Sequence, residues 1–184
     1  KQNTQWQQQG IFIEVSVNIS SYHLHSPSFL IHLENTMANH PNLDAKYLQL
    51  EILESSALGD LIAIRSILNL CREKFGVNIA LDDFGTGYSS LTHLRNLPAG
   101  TIKIDQSFLI NMLDDPEDYA IVDGVLALAG SFNRKVIAEG VETTEHGLML
   151  LKMDCNTAQG YGIARPMPAT EMPNWLDNYT PNQQ

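Results

Sequence analysis

The chain has 184 residues and a formal net charge of −10 at pH 7, with 43% hydrophobic residues. This length suits one domain with a sizeable core. The acidic charge argues against a protein that binds duplex DNA or RNA, because such proteins carry a basic surface. No apolar run approaches the length of a membrane-spanning helix, and the N-terminus lacks the basic and apolar regions of a signal peptide.

Two cysteines bear on the compartment. Cys71 and Cys155 lie in apolar segments and have no metal-ligand spacing. We interpret them as free thiols in a reducing, cytoplasmic environment, and a disulfide between them is the alternative. We therefore expect a soluble segment without membrane contact of its own. A longer parent protein could still be anchored in a membrane through upstream domains.

The first ten residues form a separate unit. Five glutamines surround Trp6, and Gly10 follows. This pattern is typical of the last turns of a helix that ends at a glycine. A tag or disordered leader is the alternative interpretation.

Strand and helix patterns then alternate six times, which predicts a parallel β/α architecture. Apolar residues alternate with polar ones in the predicted strands, and helical spacing returns between them. The predicted strands cover residues 11–19, 47–54, 77–83, 101–105, 135–139 and 155–159. The predicted helices begin near Ser26, Leu61, Ser89, Pro116, Thr144 and Met172.

The strand ends carry the functional signal. In each predicted strand the alternate residues that share one face are apolar, and the last residue on the other face is polar. These polar residues are Asn18, Glu51, Asp82, Lys103 with Asp105, Glu139 and Gln159. Polar residues on one face, at the carboxyl ends of parallel strands, are what the active-site rim of a (β/α)8 barrel requires.

The chemistry of this rim favours divalent metal. Asp82 and Asp83 are adjacent carboxylates at a strand end, where both can face one centre and need a counter-charge. Amide and carboxylate oxygens suit Mg²⁺ or Mn²⁺, and Lys103 with Glu139 could handle an attacking water. Metal-assisted phosphodiester hydrolysis is the function that these residues favour. A Schiff-base aldolase that uses Lys103 is the alternative.

Seven motifs in this order resemble the EAL domain family, the phosphodiesterases that hydrolyse cyclic di-GMP. The resemblance runs from Ile11 to Leu176. Its motifs are Val17-Asn18-Ile19-Ser20, Leu50-Glu51-Ile52-Leu53-Glu54-Ser55, Leu81 to Leu91 (LDDFGTGYSSL), Lys103-Ile104-Asp105-Gln106-Ser107-Phe108, Ala138-Glu139-Gly140-Val141-Glu142-Thr143, Ala158-Gln159-Gly160-Tyr161 and Arg165-Pro166-Met167-Pro168.

The resemblance implies a role for each rim residue. Asn18, Glu51, Asp82 and Asp83 would be ligands of Mg²⁺ or Mn²⁺. Lys103 and Glu139 would be catalytic, with Glu139 as the general base. Glu54 would anchor the loop from Asp83 to Ser90. The remaining residues would support the loop, the metal or the substrate, and they are Asp105, Glu142, Gln159, Arg165 and Pro166.

Two departures from the family pattern limit the expectation. The Glu-Ala-Leu signature is absent, so we expect an incomplete TIM-barrel-like α/β fold with about six of its strands. Leu53 replaces the usual threonine between Glu51 and Glu54, which we expect to disturb packing under the loop more than ligation. We assign residues 1–10 to the remnant of a preceding helix, 11–178 to a partial EAL domain and 179–184 to a C-terminal tail.

The implied function is hydrolysis of cyclic di-GMP to linear pGpG by the parent protein, with the isolated chain impaired. A non-catalytic cyclic di-GMP receptor or signalling scaffold is the competing hypothesis. Unpaired strand edges next to the missing strands predict a homodimer or a strand-exchanged oligomer.

Overall fold

The computed structural model describes residues 1–57, 61–86 and 90–179. These residues contain one parallel sheet in the order β1-β2-β3-β4-β5. The strands are β1 (Val15–Ile19), β2 (Leu48–Leu53), β3 (Asn78–Phe84), β4 (Thr101–Ile104) and β5 (Lys135–Ala138).

Helices follow the strands along the chain, as the alternating pattern predicts. The helices are α1 (Gln2–Gln8), α2 (Ser21–Leu24), α3 (Phe29–Ala38), α4 (Leu61–Phe75), α5 (Ser90–Asn96), α6 (Gln106–Ile110), α7 (Pro116–Ser131), α8 (Thr144–Lys152) and α9 (Met172–Asn178). Two short 3₁₀ helices, Ala45–Tyr47 and Glu54–Ala57, flank β2. None of the helices within this described part of the chain is both long and apolar enough to cross a membrane.

The core lies between the sheet and the helices. One parity of the central strands, for example Ile52 and Leu81, is buried there against helix residues such as Ile64 and Leu68. Burial of each such side chain stabilises the fold by about 1.5–3 kcal/mol. Since a shift of one residue would expose that whole set, the core fixes the strand register. The opposite parity, which carries the polar strand ends, is thereby held on the other face.

The parallel α/β architecture is confirmed, but two strand predictions are wrong in extent. The strand predicted from residue 11 begins at Val15, because pairing with β2 starts at Val15 and Leu48 and the chain before Leu48 is a 3₁₀ turn. The predicted sixth strand is a single parallel bridge between Ala138 and Ala158. Two backbone hydrogen bonds form this bridge: the N–H of Ala138 donates to Thr157 O at 3.1 Å, and the N–H of Gln159 donates to Ala138 O at 2.8 Å. Pairing of a single residue does not make a strand.

Other local predictions agree with the structure. The N-terminal helix is present, and Gly10 follows it with φ +80°, the left-handed conformation that favours glycine. The helix predicted over residues 144–152 has those same bounds. Helix α6 was not predicted. Within the described residues β1 pairs on one side only, with β2, so the sheet has an edge there.

Candidate active site

Lys103 lies at the centre of the polar strand ends. Its buried ammonium, on β4, contacts one carboxylate oxygen from each of three segments. The Nζ atom lies 2.9 Å from Glu51 Oε2, 2.9 Å from Asp82 Oδ1 and 2.7 Å from Glu139 Oε1. The register explains the convergence, since the carboxyl-terminal ends of adjacent parallel strands lie side by side at the same end of the sheet.

The charges in this cluster shift one another's pKa values. Burial opposes the charged form of Lys103, but its close contacts with the carboxylates of Glu139, Asp82 and Glu51 outweigh that penalty, and the pKa of the lysine is raised. Burial also raises the pKa of Glu139, while the nearby ammonium of Lys103 lowers it and the charges of Asp82 and Glu51 raise it further. Lys103 therefore remains an ammonium ion at neutral pH.

Asp82 Oδ1 has an ion-pair partner but no aligned hydrogen bond from a described residue. This oxygen is buried, and its ion-pair partner is Lys103. Asp82, Asp83 and Glu139 also each present one carboxylate oxygen, and these atoms all lie within 4.8 Å of one another. Carboxylate oxygens at this spacing fit a hard divalent cation such as Mg²⁺ or Mn²⁺.

Asp83 reaches the cluster through a distorted backbone. The pairing of β3 with β4 shifts between Leu81 and Phe84, and Asp83 has φ +53°. This irregularity lets two sequential carboxylates serve one side of the sheet, where regular pleating would send them to opposite faces. The pKa of Asp83 is raised, first by burial and then by the charges of Asp82 and Asp105.

Gly85 and Glu54 hold the turn that follows. Gly85 has φ +103°, and a Cβ there would lie 3.0 Å from the ring of Phe108. Its backbone N–H donates to Glu54 Oε2 at 3.1 Å. The other carboxylate oxygen, Oε1, lies 3.3 Å from His93 Nδ1. Glu54 therefore bridges the turn after Asp83 to helix α5, while residues 87–89 of the predicted loop lie outside the described residues.

An open groove of about 730 Å³ continues from the cluster. Gln159 Nε2 donates to Glu139 Oε1 at 2.5 Å, and Arg165 lies over the ring of Tyr161 at 4.9 Å. Asp105 caps α6 by accepting the N–H of Ser107 at 2.9 Å. The predicted residues that line this groove with Asp83 and Glu139 are Asp105, Glu142, Gln159, Arg165 and Pro166.

Asn18 and Leu53 lie at the margin of the cluster. Asn18 is exposed on the edge strand β1, in register beside Glu51. Leu53 is an exposed apolar side chain paired in register with Asp82. Leu53 follows Glu51 by two residues and therefore lies on the same face of the strand.

Sequence reasoning missed His93 and Trp175. His93 is buried in α5 against Glu54, and Trp175 of α9 lines the groove. Helical spacing predicted both helices but could not assign either side chain to the site, because it gives no contact between segments 40 residues apart. A histidine four residues before Leu97 in the predicted helix, at the spacing of one helix face, is the signal that was available.

Comparison with known proteins identifies this arrangement. The family model of the EAL domain matches residues 1–166. The chain belongs to the EAL domain family.

Solved EAL structures agree with the fold. The EAL domain of Mycobacterium smegmatis DcpA is 36% identical, with a TM-score of 0.89 over 96% of this chain and 79% of that one. The MucR phosphodiesterase in complex with c-di-GMP is 38% identical, with a TM-score of 0.87 over 93% of this chain and 69% of that one.

Curated relatives are much longer than this EAL chain. A cyclic di-GMP phosphodiesterase of Pseudomonas aeruginosa is 37% identical over 175 residues, which are 95% of this chain and 30% of the relative. The bifunctional diguanylate cyclase/cyclic di-GMP phosphodiesterase MucR of the same organism is 39% identical over 86% of this chain and 23% of its own length. The chain thus spans less than a third of either relative.

Proposed function

We propose that the protein containing this chain hydrolyses cyclic di-GMP to linear pGpG with the help of Mg²⁺ or Mn²⁺. The observation that carries the proposal is the cluster of Glu51, Asp82 and Glu139 around Lys103, with one oxygen each of Asp82, Asp83 and Glu139 within 4.8 Å of one another. The substrate is taken from relatives named as cyclic di-GMP phosphodiesterases and from the c-di-GMP complex of MucR.

The proposed metal ligands are Asn18, Glu51, Asp82 and Asp83. Asn18 and Glu51 are neighbours across β1 and β2, and Asp82 and Asp83 adjoin each other on β3. Bound Mg²⁺ or Mn²⁺ would polarise the phosphate and activate the attacking water. A second ion is compatible with the paired aspartates, and the choice between Mg²⁺ and Mn²⁺ belongs to the proposal.

In the proposed reaction, Glu139 accepts the proton of a water molecule whose oxygen attacks one phosphorus atom. The bond from phosphorus to the ribose 3′ oxygen breaks, and that oxygen takes up a proton from solvent. Lys103 holds Glu139 in place through its 2.7 Å ion pair and balances the negative charge of the site. Gln159 orients the same carboxylate from the groove side.

The groove would receive the substrate. Glu142, Gln159, Arg165 and Pro166 line it beyond Glu139, and Arg165 supplies a positive charge near its mouth. Glu54 and Asp105 support the site through the backbone. Glu54 holds the turn after Asp83, and Asp105 caps the start of α6. A small dianionic ligand is consistent with this acidic chain once metal offsets the local charge.

The Schiff-base alternative is disfavoured by the state of Lys103. An amine must lose its proton before it can attack a carbonyl group. Three carboxylates surround this ammonium and raise its pKa, which works against that loss. The receptor alternative accounts for cyclic di-GMP binding, but it gives no use for the intact carboxylate cluster.

A product assay tests the proposal. Purified protein is incubated with cyclic di-GMP and Mn²⁺ or Mg²⁺, and the nucleotides are separated by chromatography. We expect pGpG to form with metal and not with excess EDTA. Binding of cyclic di-GMP without any pGpG, in a protein whose metal site is loaded, would support the receptor function instead.

Two further features belong to this proposal. The free state of Cys71 and Cys155 is consistent with a cytoplasmic location, where thiols stay reduced. The edge of the sheet at β1 is consistent with a homodimer or a strand-exchanged oligomer.

A further inference from the structure

His93 is a buried ionisable residue that the proposed reaction does not use. Its side chain, on α5, is packed against Glu54, and the two residues are only 3% and 1% exposed. The Nδ1 atom of His93 lies 3.3 Å from Glu54 Oε1. A carboxylate oxygen accepts hydrogen bonds, and the tautomer of His93 with its proton on Nδ1 matches this contact.

The other oxygen of Glu54 acts on the turn that follows the metal-binding carboxylates. It accepts the N–H of Gly85 at 3.1 Å. Gly85 is two residues from Asp83, and both have positive φ, +103° and +53°. Left-handed backbone at a non-glycine residue such as Asp83 persists only where its surroundings hold it in place. Glu54 supplies that restraint, and His93 restrains Glu54.

We propose that His93 is a positioning residue for Asp83. By donating to Glu54 it fixes the carboxylate that holds Gly85, and the fixed turn aims Asp83 at Asp82 and Glu139. The metal role of Asp83 rests on the proposed function, whereas the restraint of the turn does not. The competing explanation is that His93 only fills space between α5 and the 3₁₀ helix Glu54–Ala57.

Two substitutions separate hydrogen bonding from packing. His93→Asn keeps an N–H donor near the position of Nδ1 but loses volume. His93→Phe keeps most of the volume and loses the donor. Positioning requires the asparagine variant to resemble the wild type, whereas space filling requires the phenylalanine variant to do so. His146→Phe is the matched control, because His146 is also buried but lies on α8, away from this turn.

The first measurement is the hydrogen-exchange rate of the Gly85 amide, which is detected by NMR on protein labelled with ¹⁵N-glycine. It needs neither metal nor substrate. We expect exchange to be about tenfold faster or more in His93→Phe, and close to wild type in His93→Asn and His146→Phe. The second measurement is Mn²⁺ affinity by electron paramagnetic resonance, where loss of an outer-shell partner weakens binding by roughly 10–100-fold.

The outcomes are distinct. Slow Gly85 exchange and normal Mn²⁺ affinity in His93→Phe would overturn the positioning role. If His93→Asn is disturbed while His93→Phe behaves like the wild type, His93 only fills space. If His93→Phe does not fold, His93→Leu, which is smaller and also lacks the donor, takes its place in both measurements. Faster exchange together with absence of cyclic di-GMP hydrolysis in wild type would support positioning and contradict the proposed function.

Discussion

Lys103 Nζ and Glu139 Oε1 lie 2.7 Å apart in the interior of the sheet's polar face. The same ammonium contacts the buried carboxylates of Glu51 and Asp82, so one positive charge faces three carboxylates. Without metal, the protein depends on Lys103 to keep these charges together. This relationship leads to a prediction about stability as well as one about chemistry.

Replacement of Lys103 with methionine should destabilise the metal-free protein. Removal of one partner from a buried ion pair leaves uncompensated charge and costs about 3–5 kcal/mol. Mn²⁺ should restore part of the loss, because it supplies positive charge to the same carboxylates. The free energy of unfolding, measured in urea with and without Mn²⁺, checks both statements. The control is Lys74→Met, which removes an exposed pair with Glu34 and should cost no more than about 1 kcal/mol.

Replacement of Glu139 with glutamine should stop hydrolysis but preserve cyclic di-GMP binding. The substitution removes the proposed base and keeps the shape of the side chain, so turnover should fall by about 10²–10⁴-fold. Turnover and calorimetric binding are measured on the same samples. Glu145→Gln, at an exposed carboxylate on α8, should leave both unchanged. Near-normal turnover in Glu139→Gln would mean that the base lies elsewhere.

The residues of the site were predictable where strand parity alone decides direction. Glu51, Lys103 and Glu139 are at the ends of regular strands, and the structure brings them together as their parity requires. Asp83 was expected to face the same centre as Asp82 because both end a strand, but the bulge and the positive φ that bring it there are not encoded by any periodicity. Glu54 was implied by family resemblance alone. His93 was not found at all, because its contact with Glu54 joins segments 39 residues apart.

The two cysteines should be nearly inert in the folded protein. Cys71 is fully buried, and burial raises the pKa of its thiol to about 11. Burial also raises the pKa of Cys155, although backbone hydrogen bonds oppose the shift. The thiolate is the reactive form, and at pH 8 only about 0.1% of a thiol with a pKa near 11 is ionised to thiolate.

Thiol titration with DTNB checks this prediction. We expect two equivalents of thiol to react in denaturant and almost none in the folded protein at pH 8. The reaction should quicken only as the pH rises toward the raised pKa or as the protein unfolds. Ser131→Cys places a thiol at an exposed position on α7 and should react at once. No thiol titre in denaturant would instead indicate a disulfide.

The isolated chain of residues 1–184 should self-associate through the edge of its sheet. Strand β1 pairs only with β2 among the described residues, and its sequence Val-Ser-Val-Asn-Ile has neither charge nor proline to block another strand. Val17 is 42% exposed, and Phe12, just before the strand, is 57% exposed. Unpaired backbone and apolar side chains at one edge favour addition of a second chain.

Sedimentation velocity at micromolar concentrations measures this association. We expect a dimer or larger species for the wild type and a shift toward monomer for Val17→Lys, because an edge lysine must lose water to pair. Ile62→Lys places the same charge on α4, at a residue that is 80% exposed, and should not change the association. A compact wild-type monomer would contradict this expectation, because the exposed edge of β1 would then not drive association.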